Sequence, residues 1–320
     1  MSEVTVTHPF VVGIDVATPV LRAVLVSADG KVLDRRRADL RPDALTEQIA
    51  QIIADFKDIS PDIISVGVGI PGLVNRQTDR VVVSTDLPSA VRTDLHADLM
   101  RATGLRFELE NDANAGAYGE FRAGAGFGCR NMFYVTIGAG VGGAIILEGR
   151  LWTGASGYAG EFGHITIDAE DGIECECGNT GCLETVASGP NIVRRTHERL
   201  YRDNTSSLSR LALNRDFTAD DIAREAKNGD DFAAMMMERT GKYIGAAIAS
   251  VINLLNPECI VLGGGVMEAG EFILDPIIKE AHRRAFQPCF EATKIIKASL
   301  GSDAIAIGAA LLALDTLQSV

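Results

Sequence analysis

The chain has 320 residues, more than a usual single domain, and is expected to form two lobes. Hydrophobic residues make up 47% and charged residues 23%, the balance of an ordinary globular protein, and the formal net charge of −13 argues against gripping nucleic acid or an anionic membrane through a broad basic face. A local phosphate site stays compatible with that charge. Met1 to Phe10 lacks the basic start and apolar core of a secretory signal. The most apolar long run, Tyr243 to Leu255, is broken by Asn253 and too short to cross a bilayer, so the expectation is a cytoplasmic protein with a buried helix there.

Phe10 to Val16 and Val20 to Val26 read as strands, followed by a turn at Ala28 to Gly30 and a third strand at Lys31 to Arg35. The pattern then predicts a helix over Pro42 to Asp58 and a buried strand over Ile63 to Val68 that ends in GIPGLVN. Leu73 to Val83 suggests a loop and a short strand, Thr93 to Thr103 a helix with a Thr cap, and Leu105 to Leu109 a strand. That strand runs into ENDANAGAYGEF, where Asp112 and Asn114 stand at a helix start.

NMFYVTIGAGVGGAIILEGRLW repeats the opening strand, turn and strand, with Val12-Gly13-Ile14-Asp15-Val16-Ala17 aligned to Val135-Thr136-Ile137-Gly138-Ala139-Gly140. Such a repeat suggests an internal duplication. Two lobes that each open with a hairpin can offer backbone N–H groups to a triphosphate from both sides. The plainer alternative is two ordinary glycine-containing hairpins.

The densest chemistry lies in GYAGEFGHITIDAEDGIECECGNTGCLE, Gly157 to Glu184, which holds three of the six cysteines. His164, Cys175, Cys177 and Cys182 offer an imidazole and three thiolates, the ligand set of a tetrahedral structural zinc, and Gly178 and Gly181 permit the tight turn. Disulfides are the alternative, disfavoured because Cys-x-Cys makes a strained partner. Cys129, Cys259 and Cys289 read as small buried hydrophobes. With metal on one ring nitrogen, His164 carries its proton on the other and becomes a fixed donor. Glu161 and Glu184 add two carboxylates, a set suited to a polyol, with a bare structural staple as the bland alternative.

Helices are expected over Asn191 to Tyr201, Thr218 to Lys227 and Asp230 to Leu255, then a strand from Cys259 to Leu262 ending in Gly263-Gly264-Gly265. Glycines just past a strand let a base or ribose approach the backbone. A helix (Pro276 to Ala285), a strand (Lys294 to Ala298) and a helix opened by Ser302-Asp303 close the chain.

GYAGEFGH followed by CECGNTGCLE resembles the signature and zinc loop of the ROK (repressor, ORF, kinase) sugar kinases, and the resemblance extends over nearly the whole chain. It implies an α/β protein of the actin-like ATPase (ribonuclease H-like) fold, with two lobes, a central cleft and duplicated hairpin-opened mixed sheets. The lobes would be 1–115, joined by the helix 303–320, and 116–302 with the zinc loop 164–184. By the same resemblance His164, Cys175, Cys177 and Cys182 hold zinc. Gly72, Asn111, Asp112, Glu161, His164 and Glu184 hold the sugar, and Asp112 is the base. Asp15 lies near Mg2+, Gly138, Ala139 and Gly140 form the second phosphate hairpin, and Gly263, Gly264 and Gly265 contact adenosine.

The implied reaction is ATP-dependent phosphorylation of a hexose, glucokinase-like and at the 6-hydroxyl, by a cytoplasmic homodimer or homotetramer without nucleic-acid or membrane partners. Allose, fructose or an N-acylated hexosamine are alternative acceptors. The chain departs from the family at its first phosphate loop, usually Asp-x-Gly-Gly-Thr-Lys, here Asp15-Val16-Ala17-Thr18-Pro19-Val20. Pro19 has no N–H, and Thr18 stands in for the lost hydroxyl only if the turn is rebuilt by one residue. The second loop lacks a hydroxyl at Ala139, and Ser84 to Pro88 carries Asp86 where relatives commonly have Asn. These departures motivate a second reading, a sugar-binding protein with little or no catalysis. A transcriptional repressor is a third, disfavoured by the few residues before the first strand and by the acidic charge.

Overall fold

The computed structural model describes residues 9–28, 30–76, 78–84, 87–201 and 205–318. The expectations for Met1 to His8, for Asp29 in the first turn and for Thr85 and Asp86 lie outside the described residues. The chain divides into two compact units, one of Met1–Gly128, Arg150–Ala159 and Ser299–Val320, the other of Cys129–Gly149 and Gly160–Ala298.

The first unit is built on strands β1 (Phe10–Val16), β2 (Val20–Ser27), β3 (Val32–Asp39), β4 (Ile63–Ile70) and β7 (Arg106–Asn111) in the order β3-β2-β1-β4-β7. β1 is antiparallel to β2 and parallel to β4, so Asp15 lies opposite Arg22 on one side and Gly69 on the other. Between β4 and β7 come a hairpin, β5 (Leu73–Asn75) with β6 (Arg80–Val83), and helix α2 (Ser89–Thr103). Helix α1 (Leu45–Lys57) buries Leu45, Ile49, Ile52, Ile53 and Phe56, one stripe at helical spacing. Helix α3 (Asp112–Ala123) and the C-terminal helix Ala304–Gln318 pack together, and the latter lies so close to β1 that a Cβ on Gly13 would sit 1.8 Å from the Ala306 carbonyl oxygen. Buried Glu120 on α3 ties that helix down by accepting from the N–H groups of Ala125, Ser299 and Leu300.

The second unit repeats the plan. Strands β8 (Met132–Ile137), β9 (Val141–Leu147), β11 (Cys259–Gly263) and β12 (Lys294–Lys297) run in the order β9-β8-β11-β12, with β8 antiparallel to β9 and parallel to β11. The two-residue β10 (Arg150–Leu151) opens the segment assigned to the first unit. Helices α4 (Glu184–Ala187), α5 (Gly189–Leu200), α6 (Ser207–Ala212), α7 (Ala219–Lys227), α8 (Asp231–Leu255), α9 (Glu271–Arg284) and α10 (Gln287–Ala292) complete it. Asp230 caps α8 by accepting from Ala233 N–H, and Asn256 ends it in the left-handed conformation. No described helix is long and apolar enough to cross a membrane.

Several boundaries differ from expectation for identifiable reasons. The lobe limit at 115 falls inside α3, whose packing on the C-terminal helix keeps it in the first unit through Gly128. β3 runs on to Asp39 because exposed residues alternate with half-buried ones along a sheet edge, where charge is tolerated. Residues 73–83 form two short strands instead of one. Helix α2 starts at Ser89 after Pro88, with a non-helical Asp94 inside it, so Thr93 does not open it. Helix α9 begins one turn before Pro276, after Gly270 at φ 67°, and buries Ile273 and Ile277. Of the scattered cysteines only Cys259 is buried; Cys129 and Cys289 are half-buried, and the Cys129 and Cys259 sulfurs stand 2.7 Å apart.

Candidate active site

In the first unit the end of β1 delivers Asp15 into a desolvated position, 2% exposed. One carboxylate oxygen, Oδ2, lies 3.3 Å from Arg22 Nη1 across the hairpin; the other, Oδ1, is buried without a hydrogen bond to any described residue. Burial pushes the Asp15 carboxyl up to about 7, against the pull of Arg22, and the nearby charges of Asp112 and Asp303 push the same way as burial. An orphaned acidic oxygen of this kind suits a hard divalent cation. The Ala17 to Pro19 turn follows directly, with Thr18 exposed.

The junction of β7 and α3 carries the second group. Asn111 caps α3, its Oδ1 accepting from Asn114 N–H at 3.0 Å, while its Nδ2 donates to Gly72 O at 3.0 Å and to Asp112 Oδ1 at 3.1 Å. Asp112 Oδ1 also accepts from Ala113 N–H at 2.8 Å. Gly72, Asn111 and Asp112 therefore form one hydrogen-bonded group at a helix N-terminus, where the dipole favours a carboxylate. Beneath them Glu110, 4% exposed, accepts from Asn111 N–H and Asn114 Nδ2, with Arg76 3.4 Å away. Sequence reading passed over Glu110 and Arg22. Their signals were a carboxylate closing a buried strand and a cation at the mirrored position of the first hairpin.

In the second unit the metal-ligand candidates converge. The ligand atoms of His164, Cys175, Cys177 and Cys182 all lie within 4.8 Å of one another. Cys175 Sγ is 3.6 Å from His164 Nδ1, and Cys177 Sγ is 3.7 Å from Cys182 Sγ. A tetrahedron with metal–sulfur bonds of about 2.3 Å and a metal–nitrogen bond of about 2.0–2.1 Å has edges of about 3.6–3.8 Å, so these two spacings fit one zinc ion. The sulfurs are too far apart for a disulfide. Gly178 and Gly181, at φ 86° and 75°, make the turn. Burial pushes the Cys182 thiol up to about 12 and raises the Cys175 thiol as well, so thiolates at these two positions require a cation to hold them.

His164 turns Nδ1 into the cysteine cluster and Nε2 towards Glu161 Oε2 at 4.0 Å, a gap wide enough for a bridging hydroxyl. The Glu161 carboxyl is raised by burial, lowered by His164 and raised by the charge of Glu184, so the three side chains share one locality. Glu184 does more than sequence reading assigned to it: its Oε2 accepts from Val141 N–H at 2.7 Å. A Cβ on Gly140 would stand 2.7 Å from the same oxygen, so any side chain there would displace the Glu184 carboxylate.

The Gly138-Ala139-Gly140 turn joins β8 to β9, closed by Gly138 N–H to Gly140 O at 2.9 Å. Ala139 and Gly140 are exposed, and their N–H groups bond to no described residue, as an anion-binding turn requires. Gly263 and Gly264 have a packing reason. A Cβ on them would stand 2.6 Å from Tyr134 Oη and 2.3 Å from Ile137 O, whereas Gly265 faces open space. Of the three, only Gly265 has room for a ligand at the Cβ position.

Known proteins resemble this chain over most of its length. A family model described as ROK family matches residues 11–316. A glucokinase of Halalkalibacterium halodurans is 36% identical over 314 residues, 93% of this chain and 92% of its own. The ROK family glucokinase from Streptomyces griseus, solved in complex with glucose and AMPPNP, superposes with a TM-score of 0.85 at 31% identity over 96% of this chain and 99% of that one. A ROK family transcriptional regulator, a homolog of the E. coli MLC protein, gives a TM-score of 0.85 at 30% identity over 96% of this chain and 78% of its own. The fold is the actin-like ATPase fold of the ROK sugar kinases. On the family match and the identity to the H. halodurans glucokinase together, the chain belongs to the ROK family.

Proposed function

We propose that this chain transfers the γ-phosphoryl group of ATP to a hexose, at the 6-hydroxyl. The observation that carries the reading is the double use of His164, Nδ1 in the cysteine cluster and Nε2 towards Glu161 with Glu184 beside them, a ring of donors and acceptors for sugar hydroxyls. The glucokinases it resembles support the same reading.

In this mechanism Gly72, Asn111, Asp112, Glu161, His164 and Glu184 hold the sugar. Asp112, at the α3 N-terminus, accepts the proton of the acceptor hydroxyl as the hydroxyl oxygen forms a bond to the γ-phosphorus and the bond from that phosphorus to the β-phosphate oxygen breaks, releasing ADP. The turn N–H groups at Ala139 and Gly140 receive phosphate oxygens. Asp15 would hold Mg2+, which when bound neutralises phosphate charge. His164, Cys175, Cys177 and Cys182 would hold a structural zinc that fixes the sugar wall. A missing or inverted hydroxyl leaves one of these acceptors unpaired at about 1–3 kcal/mol, the basis for choosing among hexoses, with glucose first and allose, fructose or N-acylated hexosamines as alternatives. Dimer or tetramer formation is proposed from the family resemblance.

A coupled assay of ADP release over a panel of hexoses tests the proposal. Turnover with one hexose that disappears in Asp112→Asn supports it. The first phosphate turn favours a second reading, because Pro19 offers no N–H there and a transcriptional regulator shares the fold. In that case the chain binds sugar as a signal without phosphorylating it, and the same panel gives sugar binding with no ADP.

A further inference from the structure

Resting on the kinase reading, we propose that Glu184 is a positioning residue for the second phosphate turn, so that sugar and nucleotide are read by the two oxygens of one carboxylate.

Two hydrogen bonds, the space left by a glycine and an oxygen bonded to no described residue carry this. Glu184 Oε2 accepts from Val141 N–H at 2.7 Å, immediately after the turn, and Gly189 N–H donates to Gly138 O at 2.8 Å, at the turn's first residue. The segment 184–189 therefore holds the turn 138–141 at both ends. Gly140 leaves the space Oε2 occupies, since a Cβ there would stand 2.7 Å from it. The other oxygen, Oε1, makes no hydrogen bond to any described residue, which leaves it for a sugar hydroxyl.

The backbone of helix α4, which carries Glu184, is also held from behind. Asn191 Nδ2 donates to Glu184 O at 3.1 Å. Arg194 Nη2 donates to Thr185 O at 3.0 Å, and Arg195 Nη1 donates to Val186 O at 2.6 Å and to Thr240 Oγ1 of α8 at 3.1 Å. Thr185 Oγ1 donates to Cys182 O at 2.7 Å, which links α4 to the cysteine cluster. Two cations on the carbonyl end of so short a helix fix its direction and with it the reach of Glu184.

The physical consequence is a division of donors in the turn. With Val141 N–H committed to Glu184, the Ala139 and Gly140 N–H groups, bonded to no described residue, are left for phosphate oxygens. Without the carboxylate the turn loses its anchor, and its donors lose preorganisation for the anion.

The test is calorimetric titration of the full-length zinc-loaded protein with AMPPNP and Mg2+ in the absence of hexose, for wild type, Glu184→Ala and Glu184→Gln, with zinc content and thermal unfolding measured on each. Loss of one charge-assisted hydrogen bond predicts AMPPNP binding about tenfold weaker in Glu184→Ala. Glu184→Gln should recover most of that loss, because its amide oxygen still accepts from Val141 N–H. Gly140→Ala, which displaces Oε2 without touching Glu184 itself, should weaken AMPPNP in the same direction. Equal AMPPNP affinity in all four proteins, with only hexose affinity reduced by Glu184→Ala, overturns the proposal. Wild type that fails to bind AMPPNP removes the kinase reading and this proposal with it, an outcome recognisable before any variant is made.

Discussion

Arg22 Nη1 stands 3.3 Å from Asp15 Oδ2 across the β1–β2 hairpin, yet the carboxyl is still raised from its ordinary 3.8 to about 7, because burial outweighs the guanidinium. Such a carboxyl keeps its proton in the folded chain at pH values where the unfolded chain has released it. The contribution of Asp15 to stability is then greatest below about pH 4 and falls as pH rises towards about 7, by at most about 4 kcal/mol. Asp15→Asn lacks this slope, so urea unfolding at pH 5 and pH 8 should show the variant gaining on wild type at the higher pH. A difference that does not change with pH contradicts the account. For the same reason KM for Mg-ATP should rise below about pH 7, where protonated Asp15 no longer attracts a cation.

Asp112→Asn keeps the side chain's size and its hydrogen bonds around Asn111 while removing the base. Its kcat should fall about 10²–10⁴-fold with hexose affinity within a few-fold of wild type, measured by initial rates and by calorimetry. Equal losses of kcat and binding would point to a structural role for Asp112.

The cysteine cluster predicts one zinc per chain by elemental analysis. Cys182→Ser, or a strong chelator at raised temperature, should remove the metal, lower the unfolding temperature and weaken hexose binding at least tenfold, because Glu161 and Glu184 lose their shared frame. Metal-free protein that binds hexose normally would separate the cluster from the sugar site.

Glu120 tests the fold without reference to function. It is fully buried and accepts from the N–H groups of Ala125, Ser299 and Leu300. Glu120→Ala leaves those donors unsatisfied and should destabilise the protein by about 2–5 kcal/mol in denaturant unfolding. A loss under about 1 kcal/mol would mean that water replaces the carboxylate.

The sequence showed what is periodic or chemically dense. The duplicated strand-turn-strand was legible because apolar runs and glycines recur at matching places, and the structure repeats the strand order in both units. The metal cluster was legible because its ligands are local in the chain. What escaped depends on contacts between distant segments. Glu110 looks like an ordinary strand residue until Asn111 and Asn114 fold back onto it, and Glu120 until Ser299 and Leu300 arrive. Gly263 and Gly264 suggested a ligand, but their nearest neighbours are Tyr134 and Ile137 of the adjoining strand, a close approach that glycine spacing alone does not reveal. Edge strand β3 is longer than its sequence pattern suggests because three arginines in a row hide its alternation.

The most direct measurement of the central claim is 31P NMR of the protein with Mg-ATP and a single hexose, glucose first and then the alternative sugars. The account predicts a sugar-phosphate resonance growing in step with ADP and absent in Asp112→Asn. ATP left intact with every hexose, or inorganic phosphate as the only product beside ADP, would contradict it.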